Sequence, residues 1–242
     1  MPVAGSLVER QADAADDGYA TAFLLLSRQV AHDFNNVWAL IFGLVQQAKD
    51  MPGFQERDEV LGRITLAASS GLMFSRSLVD ILMGFGARAE TFDLCQIVRK
   101  WAYTSSEILQ DSIDISCLVP PHPLHVRFDE STLRLILLSL VGYALRSNET
   151  KRWAMIGVRS SGEGKQAQSV PQDCLDLMFL CRLADYRGQP PDHFQKRVNA
   201  IRTLAARHAG VVETWVVPQV GVNLRIRLPI AAAPTAGQAG SM

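Results

Sequence analysis

The chain has 242 residues, of which 48% are hydrophobic, which is enough for one large or two modest domains with apolar cores. Lys and Arg (24) balance Asp and Glu (24), so no net charge draws the chain to nucleic acid or to an anionic membrane. The start of the chain lacks the pattern of a secretory signal, and no apolar run reaches the roughly 20 residues of a membrane span. We therefore expect a cytoplasmic protein that binds neither nucleic acid nor membrane.

After a tail at residues 1–19 that we expect to be disordered, residues 20–86 are predicted to form a helical hairpin. Apolar residues recur at helical spacing on both sides of the breaker DMPGF at 50–54. The first stripe consists of Val30, Phe34, Val37, Ile41, Leu44 and Ala48, and the second of Val60, Ile64, Ala67, Gly71, Phe74, Leu78, Ile81 and Phe85. Two helices with one stripe each cannot enclose a core, so we expect the hairpin to dimerise into a four-helix bundle.

Beyond a short linker at 84–93, the pattern changes to mixed helix and strand. Helices are predicted near 93–109, 130–148 and 192–208, and strands near 113–119, 124–128, 152–160 and 174–184, before a terminal hairpin made by VVETWVV and VNLRIRLPI. This order predicts an α+β sandwich over 91–231 with helices on one face of the sheet, followed by a disordered tail at 232–242.

Neither the cysteines nor the remaining histidines form a ligand set for a metal. The four cysteines are Cys95, Cys117, Cys174 and Cys181, and they have neither paired spacing nor a histidine nearby at ligand spacing. His122 and His125 lie in a proline-rich turn without an acid or a cysteine spaced to complete a site. The segment GEGKQ at 162–166 lacks phosphate-loop spacing and is best interpreted as a solvated loop.

A polar cluster interrupts the first helix at residues 30–36, VAHDFNN. Helical geometry places His32 and Asn36 nearly opposite the apolar stripe, so we expect the imidazole to face solvent. A carboxylate such as Asp33 can fix the tautomer of an imidazole and leave the other ring nitrogen free as a nucleophile. The neighbouring residues on that face are Arg28, Gln29, Ala39 and Gly43, and the two small ones leave room for a partner protein.

The segment LSRQVAHDFNNVWALIFGLVQQA resembles the H-box of sensor histidine kinases, and RFDESTLRLILLSLVGYALRSN resembles their N-box. With the chain's end, LAARHAGVVETWVVPQVGVNLRIRLP, the resemblance covers roughly residues 24–230. It implies that His32 accepts a phosphoryl group, that Asp33 orients it or acts as a general base, and that Asn36 is the amide linked to dephosphorylation of the partner.

The residues that form the ATP site in that family are replaced here by residues of other types. The N-box positions expected to carry Asn hold Ser139 and Tyr143. The adenine motif reads DYRGQ at 185–189, which keeps Asp185 but has Arg187 and Gln189 in place of glycines. The second glycine-rich motif reads QKRV at 195–198, too close to Asp185 for a mobile lid.

The sequence is thus similar to two-domain histidine phosphotransferases with a degenerate ATPase-like domain. We expect it to shuttle a phosphoryl group between receiver-domain aspartates through His32, with no cofactor of its own and with Mg²⁺ supplied by the receiver. Arg28, Arg63 or Arg76 are possible polar contacts for the receiver. The alternatives are a response-regulator phosphatase using Asp33 and Asn36, a non-catalytic pseudokinase scaffold, and an ATP-dependent histidine kinase with an unusual nucleotide site.

Overall fold

The structure, a computed structural model, describes residues 4–51, 53–84, 89–109, 112–145, 152–160, 174–182, 192–217 and 220–232. An N-terminal helical hairpin is followed by an α/β sandwich, which confirms the predicted α+β fold class. The hairpin consists of α1 (Ala4–Asp50) and α2 (Phe54–Gly84). Its two predicted apolar stripes supply the buried contacts between the helices, as at Val30, Leu44, Val60 and Ala67.

Helix α1 begins at Ala4, so it includes most of the segment 1–19 that the sequence analysis assigned to a tail. Residues 6–17 contain no proline and are rich in good helix formers, so the helix can extend in the N-terminal direction from a residue that tertiary contacts hold in place. Tyr19 is held in this way: its hydroxyl donates to Asp129 Oδ2 at 3.2 Å and also hydrogen-bonds with the Thr132 hydroxyl. The Arg207 guanidinium stacks on its ring at 4.2 Å.

The second part of the chain alternates strands and helices. In chain order its elements are β1 (Glu90–Asp93), α3 (Leu94–Leu109), β2 (Asp114–Leu118), β3 (His125–Phe128), α4 (Glu130–Leu145), β4 (Trp153–Ser160), β5 (Cys174–Cys181), α5 (Asp192–Ala206), β6 (Val211–Val217) and β7 (Gly221–Pro229). The predicted linker at 84–93 therefore ends in a strand, because 90–93 pairs antiparallel with β3.

Five strands form the main sheet in the order β2-β4-β5-β7-β6. The β2–β4 pair is parallel and the other pairs are antiparallel. Alternate residues of β7 are buried, at Val222, Leu224, Ile226 and Leu228, so one face of this sheet carries the core.

Helix α4 joins the hairpin to the sheet. Its side chains are buried from Ser131 to Ala144 except Arg134, as expected for a helix that is apolar all round. Asp129 caps its first turn by accepting from the backbone amides of Ser131 (2.8 Å) and Thr132 (3.1 Å). Both hairpin helices pack on α4, and α1 also packs on α5, so the second half of the chain reaches the face of α1 near His32.

None of the helices in the described part of the chain is long and apolar enough to cross a membrane.

Candidate functional site

The imidazole of His32 stands at the surface of α1, on the side away from α2. Its side chain is 61% exposed. The Asn36 side-chain amide lies one helical turn further on, with Nδ2 3.1 Å from His32 Nδ1. The two residues share a face because they are four apart on one helix. As placed, the amide nitrogen donates to Nδ1; with the amide turned over, its oxygen accepts from Nδ1–H instead, and the Nε2 lone pair is then left for chemistry.

Asp33 lies next to His32 in the chain but in a different environment, since its side chain is only 3% exposed. Its Oδ1 is 3.7 Å from His32 Nδ1, an ion-pair distance that is too long for a good hydrogen bond. Its Oδ2 accepts a hydrogen bond from Arg197 Nη2 at 3.0 Å. The carboxylate is therefore positioned between the imidazole and a guanidinium.

Arg197, on α5, is a site residue that sequence reasoning missed. It is 2% exposed, and besides Asp33 it donates to the backbone carbonyl of Ser139 on α4. Its guanidinium also lies 5.6 Å from the ring centroid of Tyr143. In the sequence, QKRV indicated only that the second glycine-rich motif of the nucleotide site is replaced. Nothing in the spacing relates residue 197 to residue 33.

A cavity of about 240 Å³ opens beside the imidazole. Residues from both halves of the chain line it: Leu25, Arg28, Gln29, His32, Asp33, His193 and Arg197. The lining thus includes two guanidinium groups, two imidazoles and one carboxylate, and that carboxylate is paired with Arg197. Such a lining favours an anion.

The four predicted partner-binding residues separate into two groups. Arg28, which is exposed, and Gln29, which is half-buried, line the cavity with His32. Ala39 and Gly43 lie further along α1 and are exposed, and a Cβ placed on Gly43 would meet nothing within 4 Å. The face beyond His32 is therefore open to a large partner.

The positions that the resemblance assigned to a nucleotide are occupied by protein packing where the structure describes them. Ser139 is fully buried, and its hydroxyl donates to the Ile136 carbonyl at 3.1 Å. Tyr143 is 3% exposed, with its ring 4.7 Å from that of Phe194. These groups do not fit a magnesium–phosphate ligand set, since the hydroxyl is engaged and the phenol is packed. The segments 162–166 and 185–189 lie outside the described residues.

The described part of the chain contains no group of three His, Cys, Asp or Glu side chains arranged to hold a metal. The four cysteines are free thiols, of which Cys95 and Cys181 are buried. Burial raises the pKa of Cys95 to about 11 and that of Cys181 to about 12. Both thiols therefore stay protonated and unreactive at neutral pH.

No protein-family model and no curated protein matches the chain. Solved structures do. The catalytic domain of histidine kinase ThkA is 16% identical with a TM-score of 0.46, over 59% of this chain and 96% of that chain. A bacterial phosphotransferase is 10% identical with a TM-score of 0.49, over 86% of this chain and 96% of that one. The Acinetobacter baumannii histidine kinase AdeS is 14% identical with a TM-score of 0.43, over 83% and 98%. The structural neighbours are thus histidine kinase domains and a phosphotransferase, and the function proposed below rests on this chain's own residues.

Proposed function

We propose that the protein is a histidine phosphotransferase that moves a phosphoryl group between receiver-domain aspartates through His32 without binding ATP. The observation that carries the proposal is the exposed imidazole whose Nδ1 is engaged by Asn36 and lies near Asp33, beside a cavity lined by arginines. An imidazole held in this way has one ring nitrogen free to attack.

In the forward step, the Nε2 lone pair attacks the phosphorus of a receiver's phosphoaspartate. The bond from phosphorus to the aspartate oxygen breaks as the bond from phosphorus to Nε2 forms, and the receiver leaves with a free carboxylate. The return step reverses these changes on a second receiver. Both species are high in energy, so the transfer needs in-line positioning rather than a nucleotide.

Three residues around the ring have roles in this step. Nδ1 keeps its proton while Nε2 attacks, and the Asn36 amide accepts that proton when it turns its oxygen to the ring. The Asp33 carboxylate, 3.7 Å away, offsets the positive charge that the ring gains. Arg28, on the cavity wall, offsets the charge of the incoming phosphoryl group. We expect the Mg²⁺ to come from the receiver.

Two packing features support transfer without ATP. Arg197 and Tyr143 fill the space between α4 and α5, and the Asp33 carboxylate is drawn into the same place from the hairpin. A Cβ on Gly142 would already lie 3.0 Å from Asp33 Oδ2 and 3.0 Å from the Phe74 ring, so this region is tightly packed. A nucleotide at Tyr143 would have to displace the side chains packed around it.

A phosphatase is the second candidate, because Asn36 lies within contact of the same imidazole. An amide at this position can hold a water molecule against a receiver's phosphoaspartate. In that case, loss of the His32 ring would leave dephosphorylation intact while removing transfer.

The test uses the full chain and a panel of receiver domains that carry a radioactive phosphoryl group. We expect the label to move to this protein as an acid-labile adduct and then to a second, unlabelled receiver. The His32→Ala variant should show no adduct. The matched control is His122→Ala, which removes another exposed histidine and should transfer normally.

Three outcomes contradict the proposal and identify its alternatives. Saturable ATP binding in calorimetry, with labelling of His32 from ATP, would make the protein a kinase. Release of free phosphate that survives in His32→Ala but not in Asn36→Ala would make it a phosphatase. Tight receiver binding without transfer or phosphate release would make it a scaffold.

A further inference from the structure

Helix α5 of the second domain reaches the reactive face of α1. Its residues Arg197 and His193 line the cavity that also contains His32 and Arg28. The His193 ring lies against the ring of Tyr143 on α4, with ring centroids 5.5 Å apart. This contact with α4 fixes the direction from which α5 approaches α1. The face of α1 that carries the imidazole is therefore only partly formed by the hairpin itself.

The contact between Asp33 and Arg197 determines where the carboxylate points. Both side chains are almost completely buried, at 3% and 2% exposure, so each needs the other's charge. Arg197 holds Oδ2 at 3.0 Å, which leaves Oδ1 directed at His32 Nδ1. A second N–H of Arg197 is held by the Ser139 carbonyl, so the guanidinium is fixed from two sides.

We propose that Arg197 is a positioning residue of the phosphotransfer site: from the second domain, it holds the Asp33 carboxylate at ion-pair distance from His32 Nδ1, where the negative charge favours a proton on that ring nitrogen. This inference rests on the proposed function and deepens it. The second domain is then part of the reactive site and not only a surface for docking. Separating α5 from α1 would leave the imidazole exposed but without a fixed carboxylate.

The experiment uses potassium phosphoramidate, a small donor that phosphorylates imidazole directly. The donor's P–N bond breaks with loss of ammonia as a new P–N bond forms to His32, and no receiver is required. We expect Arg197→Met to lower the rate of His32 phosphorylation by about 10-fold, because a loosened carboxylate no longer holds the ring. Arg197→Lys keeps the positive charge but lacks the planar guanidinium that donates to two partners. Its rate of His32 phosphorylation should therefore lie between those of the wild type and Arg197→Met.

A second readout separates positioning from folding. Nitrogen-15 spectra of labelled histidine report the tautomer of the His32 ring, which we expect to be mainly Nδ1–H in the wild type and mixed in Arg197→Met. In an Asp33→Asn background, Arg197→Met should have little further effect on rate or tautomer, because Arg197 acts through that carboxylate. The matched control is Arg202→Met, an exposed arginine on the same helix, which should leave both readouts unchanged.

The inference is wrong if His32 of Arg197→Met is phosphorylated at the wild-type rate and its ring tautomer is unchanged. It is also wrong if Arg197→Met lowers the rate by the same factor in the Asp33→Asn background. Failure of the proposed function looks different. There, receivers would transfer nothing to His32, while the effect of Arg197 on phosphoramidate labelling and on the tautomer would remain.

Discussion

His208 illustrates how a single ionisable residue is affected by its surroundings in this protein. It is half-buried, with its ring 4.3 Å from that of Phe128, and its Nε2 has no hydrogen-bond partner among the described residues. Burial lowers the pKa of His208 below its usual 6.5, against the opposing charge of Asp129, and Arg207 and Arg127 lower it further. The folded protein therefore favours the neutral ring.

This shift has a defined consequence for stability. The unfolded chain binds the proton more readily than the folded one, so the contribution of His208 is complete above pH 6.5 and is lost as the pH falls towards the folded-state pKa. We expect the free energy of unfolding to decrease over this range, and to decrease less in His208→Gln, as measured by urea denaturation at several pH values. The control is His122→Gln at an exposed position. Equal slopes in the two variants would contradict the prediction.

At the scale of the helices, two glycines at helical positions differ in what surrounds them. Gly62, on α2, is exposed, and a Cβ there would meet nothing within 4 Å. Gly142, on α4, lies where the hairpin packs, and a Cβ there would come within 3.0 Å of both Asp33 Oδ2 and the Phe74 ring. The close approach of α1, α2 and α4 therefore depends on the absence of a side chain at residue 142.

The two alanine variants should consequently change stability in opposite directions. Gly62→Ala should raise the free energy of unfolding by about 0.5–1 kcal/mol, since alanine favours the helix. Gly142→Ala gains the same preference but adds a methyl group to a full interface, which costs about 1–3 kcal/mol, so a net loss of about 1 kcal/mol is expected. Urea denaturation measures both. A stabilised Gly142→Ala would show that the interface has room.

For the whole molecule, a second apolar surface on the hairpin remains uncovered. On α1, Leu24, Trp38 and Phe42 are 66%, 44% and 66% exposed, and on α2, Leu61, Leu72 and Val79 are 50%, 47% and 57% exposed. The spacings are 14 and four residues on α1 and 11 and seven residues on α2, all close to whole helical turns, so each set lies on one helix face. In a hairpin the two faces can lie on the same side. Helix α4 meets the hairpin at Asp33 and Phe74. Helical geometry places these two residues on the opposite faces of α1 and α2, so the exposed apolar surface is available to a second copy.

We accordingly predict a homodimer whose four-helix bundle buries this surface. Phe42→Glu and Leu72→Glu, each placing a charge in an apolar contact, should shift the protein towards monomer in light scattering at micromolar concentration. Gln47→Glu adds the same charge on a different face of α1 and should leave the mass unchanged. A wild-type protein that is monomeric at high concentration would contradict the prediction.

The sequence by itself determined the architecture and the position of the imidazole. Apolar spacing predicted both hairpin helices and the stripes that join them, and the same helical period placed His32 on the outer face, where it is 61% exposed. The strands and helices after residue 110 also follow their predicted order, since turn residues and alternation are local signals. Helix boundaries also depended on tertiary contacts, as shown by the start of α1 at Ala4 and by the hydrogen bond that holds Tyr19.

Only the tertiary structure decided what surrounds that imidazole. Asp33 and Arg197 are 164 positions apart, and their pairing depends on how the hairpin docks on α4 and α5. No local period or motif encodes such a contact, because it results from packing two separately formed surfaces. For the same reason, the buried state of Asp33, the approach of His193 and the filling of the space around Tyr143 followed from the fold and not from the order of the residues.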